Sequence, residues 1–174
     1  PPMVDVAFQA MFACLTVGLI AGAVADRMKF GAWLIFAGVW ASLVYFPVAH
    51  WAWGDGWIGQ LNIGGAEVID FAGGTAVHIN AGAAALVLVI VLGKRLGWPR
   101  MPMRPHNLTM VMLGAGLLWF GWFGFNAGSA YAADGVAALA ATNTLVATCG
   151  GGLAWLLVER LRDGHATSLG AASG

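Results

Sequence analysis

The chain has 174 residues, no formal net charge, and 60% apolar against only 9% charged residues. A soluble domain carries about 25% charged residues, so this composition excludes an ordinary water-soluble fold and makes the lipid bilayer the solvent to consider first. The chain has no basic stripe, so it offers no electrostatic basis for binding nucleic acid.

Five apolar windows, taken in chain order, are long enough to cross a membrane, which requires about 20 residues of helix. They run over residues 6–25, 30–49, 71–93, 108–133 and 135–158. Such windows are too long for buried strands, and they lack the alternation that is typical of an outer-membrane barrel. The sequence therefore predicts an all-α, polytopic membrane helix bundle with five transmembrane helices.

The basic residues indicate how this bundle is oriented. All 8 Lys and Arg residues fall in three alternate connections, which follow the first, third and fifth windows. The other two connections, residues 51–70 and the turn around Asp134, contain acidic residues and no basic ones. Because cytoplasmic loops carry an excess of Lys and Arg, the pattern predicts cytoplasmic basic loops in a multi-pass protein of the plasma (inner) membrane.

Aromatic side chains mark the first window and the connection after the second. Phe8 and Phe12 are four residues apart and share a helix face, which usually indicates packing. Rings that line a path can also hold a small cation, an attraction of about 0.5–2 kcal/mol. Trp51, Trp53 and Trp57 follow in the acidic connection, where they are typical of an aromatic belt at headgroup level.

Asp70 stands immediately before the third window, where an N-cap carboxylate accepts helix N–H groups. Its charge can also lower the energy of an approaching cation, and the two roles are compatible.

His78 lies seven residues into the same window, which is about 10 Å along a helix. Its helical neighbours, among them Gly74 and Ala81, are small, so we expect the imidazole to point into the protein interior or a narrow cavity. The choice is between a satisfied core histidine and a pore or proton-relay residue, and membrane depth favours the second.

Phe125 and Ser129 place one ring and one hydroxyl on a shared face of the fourth window. The sequence contains no nucleophile with a partnered base, no metal-ligand spacing and no phosphate-binding loop. We therefore predict neither enzymatic activity nor a cofactor or metal site.

Several segments, in collinear order over nearly the whole chain, together resemble the ammonium transporter family, the Amt/Mep/Rh group. They are FQAMFACLTVGLIAGAVADR (8–27), PVAHWAWGDG (47–56), DFAGGTAVHINAGAAALV (70–87), PHNLTMVMLGAGLLWFGWFGFNAGSA (105–130), ATNTLVAT (141–148) and SLGAASG (168–174).

The resemblance implies a homotrimer whose protomers each contain a pore, built from eleven helices in two inverted halves of five. Residues 1–174 would supply helices three to seven of this membrane domain, and residues 168–174 would begin a further helix. We expect the N- and C-terminal helices and a second pore histidine to lie outside this segment, which would not close a pore alone.

The resemblance also implies roles for individual residues. Phe12, Trp53 and Ser129 correspond to an outer vestibule that recruits ammonium, and Phe12 with Phe125 corresponds to a phenylalanine gate. The loop after Trp53 is longer than the family pattern, so Trp51 or Trp57 remains an alternative. In the pore itself, His78 corresponds to the first of two facing histidines, and Asp70 corresponds to an acidic residue required for transport.

The function implied is transmembrane transport of ammonium or ammonia, and of methylammonium, in contact with the lipid bilayer and with a cytoplasmic PII-type regulatory protein. One alternative is an ammonium sensor that uses the same fold with a cytoplasmic signalling partner. A gas channel of the Rh type is a third hypothesis. The residues leave electrogenic ammonium transport and passive ammonia conduction both open.

Overall fold

The computed structural model describes residues 2–174, with side chains from residue 3 onward. Within this range, five helices are long and apolar enough to cross a membrane, which confirms the predicted all-α polytopic architecture. They are Met3–Val24, Phe30–Trp53, Gly74–Leu92, Leu108–Ala127 and Gly135–Asp163. Most of their large apolar side chains are exposed, as expected of helices that face lipid or further protein.

Two predicted windows extend beyond the helices that they contain. The third helix begins at Gly74, because residues 71–73 form a turn in which Gly73 has φ +92°. The fourth ends at Ala127 before a connection in which Tyr131 has φ +54°. The next helix starts after Asp134, whose carboxylate accepts two backbone N–H groups at 3.0 Å.

The chain forms two compact units, and the first ends at Met101. Its helices are α1 (Pro2–Val24), α2 (Phe30–Trp40), α3 (Phe46–Trp53) and α4 (Asn80–Leu92), and a short antiparallel hairpin, β1 (Asn62–Ile63) and β2 (Ala66–Glu67), follows α3. Helix α1 packs along α4. Fully buried side chains in this unit include Thr16, Ile20 and Val77.

The second unit begins at Pro102 and contains α5 (Leu108–Trp122), α6 (Gly135–Asp163) and α7 (Ser168–Ser173). Helix α7 confirms the predicted start of a helix near residue 168. Inside the unit, Asn126 Nδ2 donates a hydrogen bond of 3.0 Å to Thr144 Oγ1 on α6. This contact joins the end of the fourth span to the fifth.

Among the described residues, three of the spans contain a π-helical segment: Ala41–Tyr45 between α2 and α3, Gly74–Ile79 before α4, and Phe123–Ala127 after α5. A π turn changes which side chains share a helix face, and such turns are frequent at functional sites. His78 and Phe125 both lie in these segments, so spacing rules for an α-helix do not describe their surroundings.

Two arginines bridge the neighbouring ends of α1 and α4. Arg27 Nη1 donates to the carbonyl oxygen of Gly93 at 2.7 Å, and its Nη2 donates to the carbonyl of Ala23. Arg95 Nη2 donates in the opposite direction, to the carbonyl of Gly22 at 3.0 Å. Cations at helix C-termini bind carbonyls that lack helical partners and are favoured by the helix dipole. The two arginines therefore hold these helix ends together.

Replacing either bridging arginine with glutamine is expected to lower the free energy of unfolding by about 0.5–1 kcal/mol, because the contacts are exposed or only partly buried. The Arg27→Gln/Arg95→Gln double variant should lose less than the sum, since both side chains join the same two helices. Thermal unfolding of the purified complete protein measures this effect. Arg100→Gln, in the same exposed basic loop, is the control; an equal effect there would show that charge alone matters.

Candidate functional site

An aromatic cluster joins α1 to the end of α3. The ring centroids of Phe8 and Phe12 are 4.9 Å apart at 67°, and those of Phe12 and Trp53 are 5.5 Å apart at 87°. Edge-to-face contacts at these distances are favourable. Phe12 is the buried member, with 3% of its surface exposed, whereas Phe8 and Trp53 are half-buried. The accessible rings are therefore those of Phe8 and Trp53.

The indole of Trp53 is fixed by a hydrogen bond, because its Nε1 donates to the backbone carbonyl of Asp70 at 2.8 Å. Trp51 and Trp57 instead contact each other, with centroids 5.9 Å apart, and both are exposed. Of the three tryptophans left open by the sequence, Trp53 is the one that packs on Phe12 and bonds to Asp70.

The Asp70 carboxylate accepts three backbone N–H groups at the start of the third span. Its Oδ1 accepts from Gly73 at 2.7 Å, and its Oδ2 accepts from Thr75 at 3.0 Å and Ala76 at 2.8 Å. Helix N-termini present such unpaired donors, and a carboxylate there is also favoured by the dipole. Asp70 thus has the capping role that the sequence predicts, although the N-cap residue itself is Gly73, three residues further on.

Gly73 makes this turn possible. It has φ +92°, and a Cβ atom at this position would lie 2.7 Å from Val77 Cγ2. A side chain would therefore be strained both by the backbone conformation and by contact with Val77. The turn brings the Asp70 carboxylate over the first amides of the span.

His78 follows within the π-helical segment, and its backbone N–H donates to the carbonyl of Gly73, five residues earlier, at 3.0 Å. Ala76 and Val77 are fully buried, but the His78 side chain is exposed in this chain. The expectation that it points into the protein interior or a narrow cavity stays a prediction for the complete protein. That expectation assumes α-helical neighbours, whereas His78 lies in the π-helical segment Gly74–Ile79.

Phe125 and Ser129 lie together in the second unit. Ser129 Oγ donates to the carbonyl oxygen of Phe125 at 2.7 Å, and both side chains are half-buried. The hydroxyl hydrogen is thereby used within the chain, while the lone pairs of Oγ can still accept hydrogen bonds. The two residues, which are four apart in the sequence, are thus joined by a hydrogen bond from side chain to backbone.

Three residues of the first unit adjoin the candidate site but were not predicted to belong to it. Phe8 packs on Phe12. Thr16 is fully buried, and its Oγ1 donates to the carbonyl of Phe12 at 2.6 Å. Tyr45, 2% exposed, ends the π-helical segment Ala41–Tyr45, which packs against α1. The four-residue spacing of Phe8, Phe12 and Thr16 was a detectable signal, whereas nothing in the sequence places Tyr45 against α1.

Five long apolar helices, aromatic and acidic groups gathered at helix ends, and a histidine within a span define an integral, multi-pass membrane protein. A family model described as Ammonium Transporter Family matches residues 1–174. The chain therefore belongs to the ammonium transporter family, whose members are transport proteins and not enzymes.

Curated relatives agree with this assignment. The chain is 63% identical to an ammonium transporter of Mycobacterium tuberculosis, with all of this chain and 37% of the relative aligned. It is 55% identical to an ammonium transporter of Bacillus subtilis, with 96% of this chain and 40% of the relative aligned. The chain thus spans about two fifths of the length of these relatives.

Two solved structures show the same fold. Saccharomyces cerevisiae Mep2 has a TM-score of 0.87 at 36% identity, covering 100% of this chain and 38% of that one. Candida albicans Mep2 has a TM-score of 0.84 at 39% identity, covering 94% of this chain and 36% of that one.

Proposed function

We propose that the protein transports ammonium or ammonia across the plasma (inner) membrane, with its basic loops in the cytoplasm. The observation that carries the proposal is the cluster of Phe12 and Trp53 beside Asp70, in a chain of the ammonium transporter family. Aromatic faces attract small cations, and a nearby carboxylate makes the local potential more negative. The cluster would receive ammonium on the side opposite the basic loops.

Trp53 is the vestibule residue that the geometry supports over Trp51 and Trp57. Its Nε1 is already bonded to the protein, which fixes the ring plane and leaves the π face as the group offered to a cation. Phe12 is buried behind Trp53 and Phe8. We infer that Phe12 supports the vestibule rings until ammonium advances, and that passage requires its ring to move.

Ser129 suits a role as a hydrogen-bond acceptor for ammonium. The ligand carries only N–H donors, and Ser129 Oγ, whose own hydrogen is given to the carbonyl of Phe125, retains lone pairs. We propose this contact as the polar part of ammonium recruitment, and we keep Phe125 as the gate residue that the family resemblance implies.

His78 is the proposed group for the next step, the conduction of a neutral species. Moving an intact cation through hydrocarbon is unfavourable, whereas ammonium that has lost one proton is uncharged ammonia. A neutral imidazole has one donor and one acceptor nitrogen, so it can hydrogen-bond ammonia and relay a proton. Potassium has no proton to lose, which would exclude it.

The assembly belongs to the same proposal. We infer that the complete protein is a homotrimer with a pore in each protomer, that methylammonium shares the path, and that a PII-type protein binds the cytoplasmic face. The extensive exposed apolar surface of the spans supports further helix or lipid contacts.

Ser129→Ala is expected to raise the apparent KM for ammonium and methylammonium about fivefold, the effect of losing a hydrogen bond of about 1 kcal/mol. The measurement is saturable uptake by cells that express the complete gene encoding this chain, at matched membrane abundance. Ser42→Ala is the control, because Ser42 Oγ also donates to a carbonyl four residues earlier, at 2.8 Å, but is exposed.

The parent protein's own behaviour decides between the functions. Saturable uptake supports transport, and uptake that rises linearly with ammonia concentration would favour a gas channel. Ammonium binding without uptake would favour a sensor with a signalling partner. An unchanged KM in Ser129→Ala would remove the serine from the vestibule and leave the transport function standing.

A further inference from the structure

We propose that the neighbouring ends of α1 and α4, together with the connection formed by residues 93–101, bind the headgroup of an anionic phospholipid. Five basic residues define this surface, which we call the basic cluster: Arg27, Lys29, Lys94, Arg95 and Arg100. All five lie in the first compact unit. The inference goes beyond the proposed function, because it concerns a lipid ligand and not the transported species.

The protein itself does not neutralise the charge of the basic cluster. Asp26 is the one acidic residue in the segments 26–29 and 93–101, against five bases. Among the described residues, none of the five forms a salt bridge, since the ion pair that does form joins Arg162 Nε to Asp163 Oδ1 at 3.6 Å. Concentrated positive charge attracts anions, and at a membrane surface the available anions are lipid headgroups.

Two guanidinium groups of the basic cluster are held in place by backbone carbonyls. Arg27 Nη1 donates to Gly93 at 2.7 Å, and Arg95 Nη2 donates to Gly22 at 3.0 Å. A guanidinium has five N–H donors, so the contact with Gly22 leaves most of those on Arg95 available. Arg27 Nε is buried and has no hydrogen-bond partner among the described residues. Donors therefore remain on groups whose orientation is already fixed.

Phosphate oxygens are the acceptors that fit such donors. Guanidinium N–H groups bind phosphate in pairs, with charge-assisted hydrogen bonds. Because α1 and α4 already hold the two guanidinium groups, little side-chain freedom is lost when the phosphate binds. Lys29 and Lys94 are exposed beside them in the sequence and add positive charge. The arrangement thus favours a phosphate that carries a net negative charge.

Exposed apolar side chains accompany the basic cluster, as a lipid ligand requires. In the connection, Leu96 has 95% of its surface exposed, and Trp98 and Met101 are also exposed. Ile90 and Val91, in the last turn of α4, are exposed as well. Basic residues interspersed with apolar ones, including a tryptophan, are typical of segments at headgroup level. A free phosphate ion would make no use of these apolar groups, so we favour a lipid.

The connection has a defined shape, which keeps its apolar and basic residues together. The Trp98 N–H donates to the carbonyl of Arg95 at 3.1 Å, and the Met101 N–H donates to that of Gly97 at 2.8 Å. Gly97 has φ +83°, and a Cβ atom there would lie 2.7 Å from Met101 Sδ. The turn therefore requires glycine at this position, and it holds Trp98 close to Arg95.

Lys94→Gln/Arg100→Gln tests the surface without removing either arginine that joins α1 to α4. We expect the complete protein, purified in a neutral detergent, to bind phosphatidylglycerol at least about tenfold more tightly than phosphatidylcholine, which has no net charge. The double variant should bind phosphatidylglycerol about 25-fold more weakly, because each base near an anionic surface contributes about a fivefold factor. Native mass spectrometry of the lipid titrations measures these dissociation constants.

Arg160→Gln/Arg162→Gln is the matched control. It also removes two basic residues, but from the end of α6, where Arg162 is paired with Asp163. We expect the affinity for phosphatidylglycerol to change less than about twofold, since these bases are not in the basic cluster. Lys94→Arg/Arg100→Lys keeps both charges and should keep the parent affinity, which would show that the two positions tolerate substitution.

Several results would overturn the proposal. One is equal affinity of the parent for the two lipids, and another is an unchanged dissociation constant in Lys94→Gln/Arg100→Gln. Equal weakening in both glutamine double variants would show that net charge alone acts. Displacement of the lipid by inorganic phosphate would show that the surface binds a free anion. Failure of ammonium transport with intact lipid binding would overturn only the proposed function, because the lipid titration does not depend on ammonium.

Discussion

Replacing Asp70 with alanine is expected to abolish saturable ammonium uptake and to lower the free energy of unfolding by about 2 kcal/mol, the upper range for loss of a helix cap. The physical reason is that three N–H groups, those of Gly73, Thr75 and Ala76, lose their acceptor. The turn would then relax, and with it the backbone carbonyl that holds Trp53. Uptake at matched abundance and thermal unfolding measure the two effects.

Asp134→Ala is the matched control, because Asp134 also caps a transmembrane helix, with two N–H groups bound at 3.0 Å, but carries no aromatic cluster. We expect a comparable loss of stability with unchanged uptake per folded protein. Asp70→Asn adds a second comparison, since asparagine has no charge and keeps one of the two acceptor oxygens of the cap. Full uptake in Asp70→Asn would show that capping alone explains Asp70, and full uptake in Asp70→Ala would remove it from the function.

The spans were predictable because hydrophobic length alone determines them. The ends of the spans were less predictable. Residues 71–73 and 128–133 are apolar enough to continue a helix, yet they form turns. Gly73 with its φ of +92° and Tyr131 with φ of +54° mark these breaks, and hydropathy does not register backbone conformation. The π-helical segments were not predicted, because no composition identifies them and tertiary contacts, such as that of Asn126 with Thr144, accompany them.

The candidate site was predictable where a residue's role is local. Asp70 caps amides three to six residues after it, at the start of the apolar span, so its position before an apolar window was sufficient. The choice among Trp51, Trp53 and Trp57 was not local, because it depends on which indole reaches α1. The surroundings of His78 were not local either, since the rule used for its helix face assumes an α-helix and the segment is π-helical.

His78→Ala is expected to reduce ammonium-driven current at least about tenfold while the complete protein remains folded. If conduction requires the ammonium proton to be removed and relayed, loss of the imidazole leaves that proton without an acceptor at membrane depth. The measurement is charge movement in proteoliposomes containing the purified complete protein. His106→Ala, at an exposed loop position, is the control and should conduct normally.

Selectivity distinguishes the two ways in which His78 can act. Suppose that the current falls while uptake of labelled methylammonium persists: the protein then still passes a neutral amine, and His78 serves the proton. If potassium current appears instead, the imidazole acts as a barrier to cations, such as potassium, that have no proton to lose. An unaltered current with unaltered selectivity would remove His78 from the mechanism. Conduction would then depend on the aromatic cluster and on groups outside the described residues.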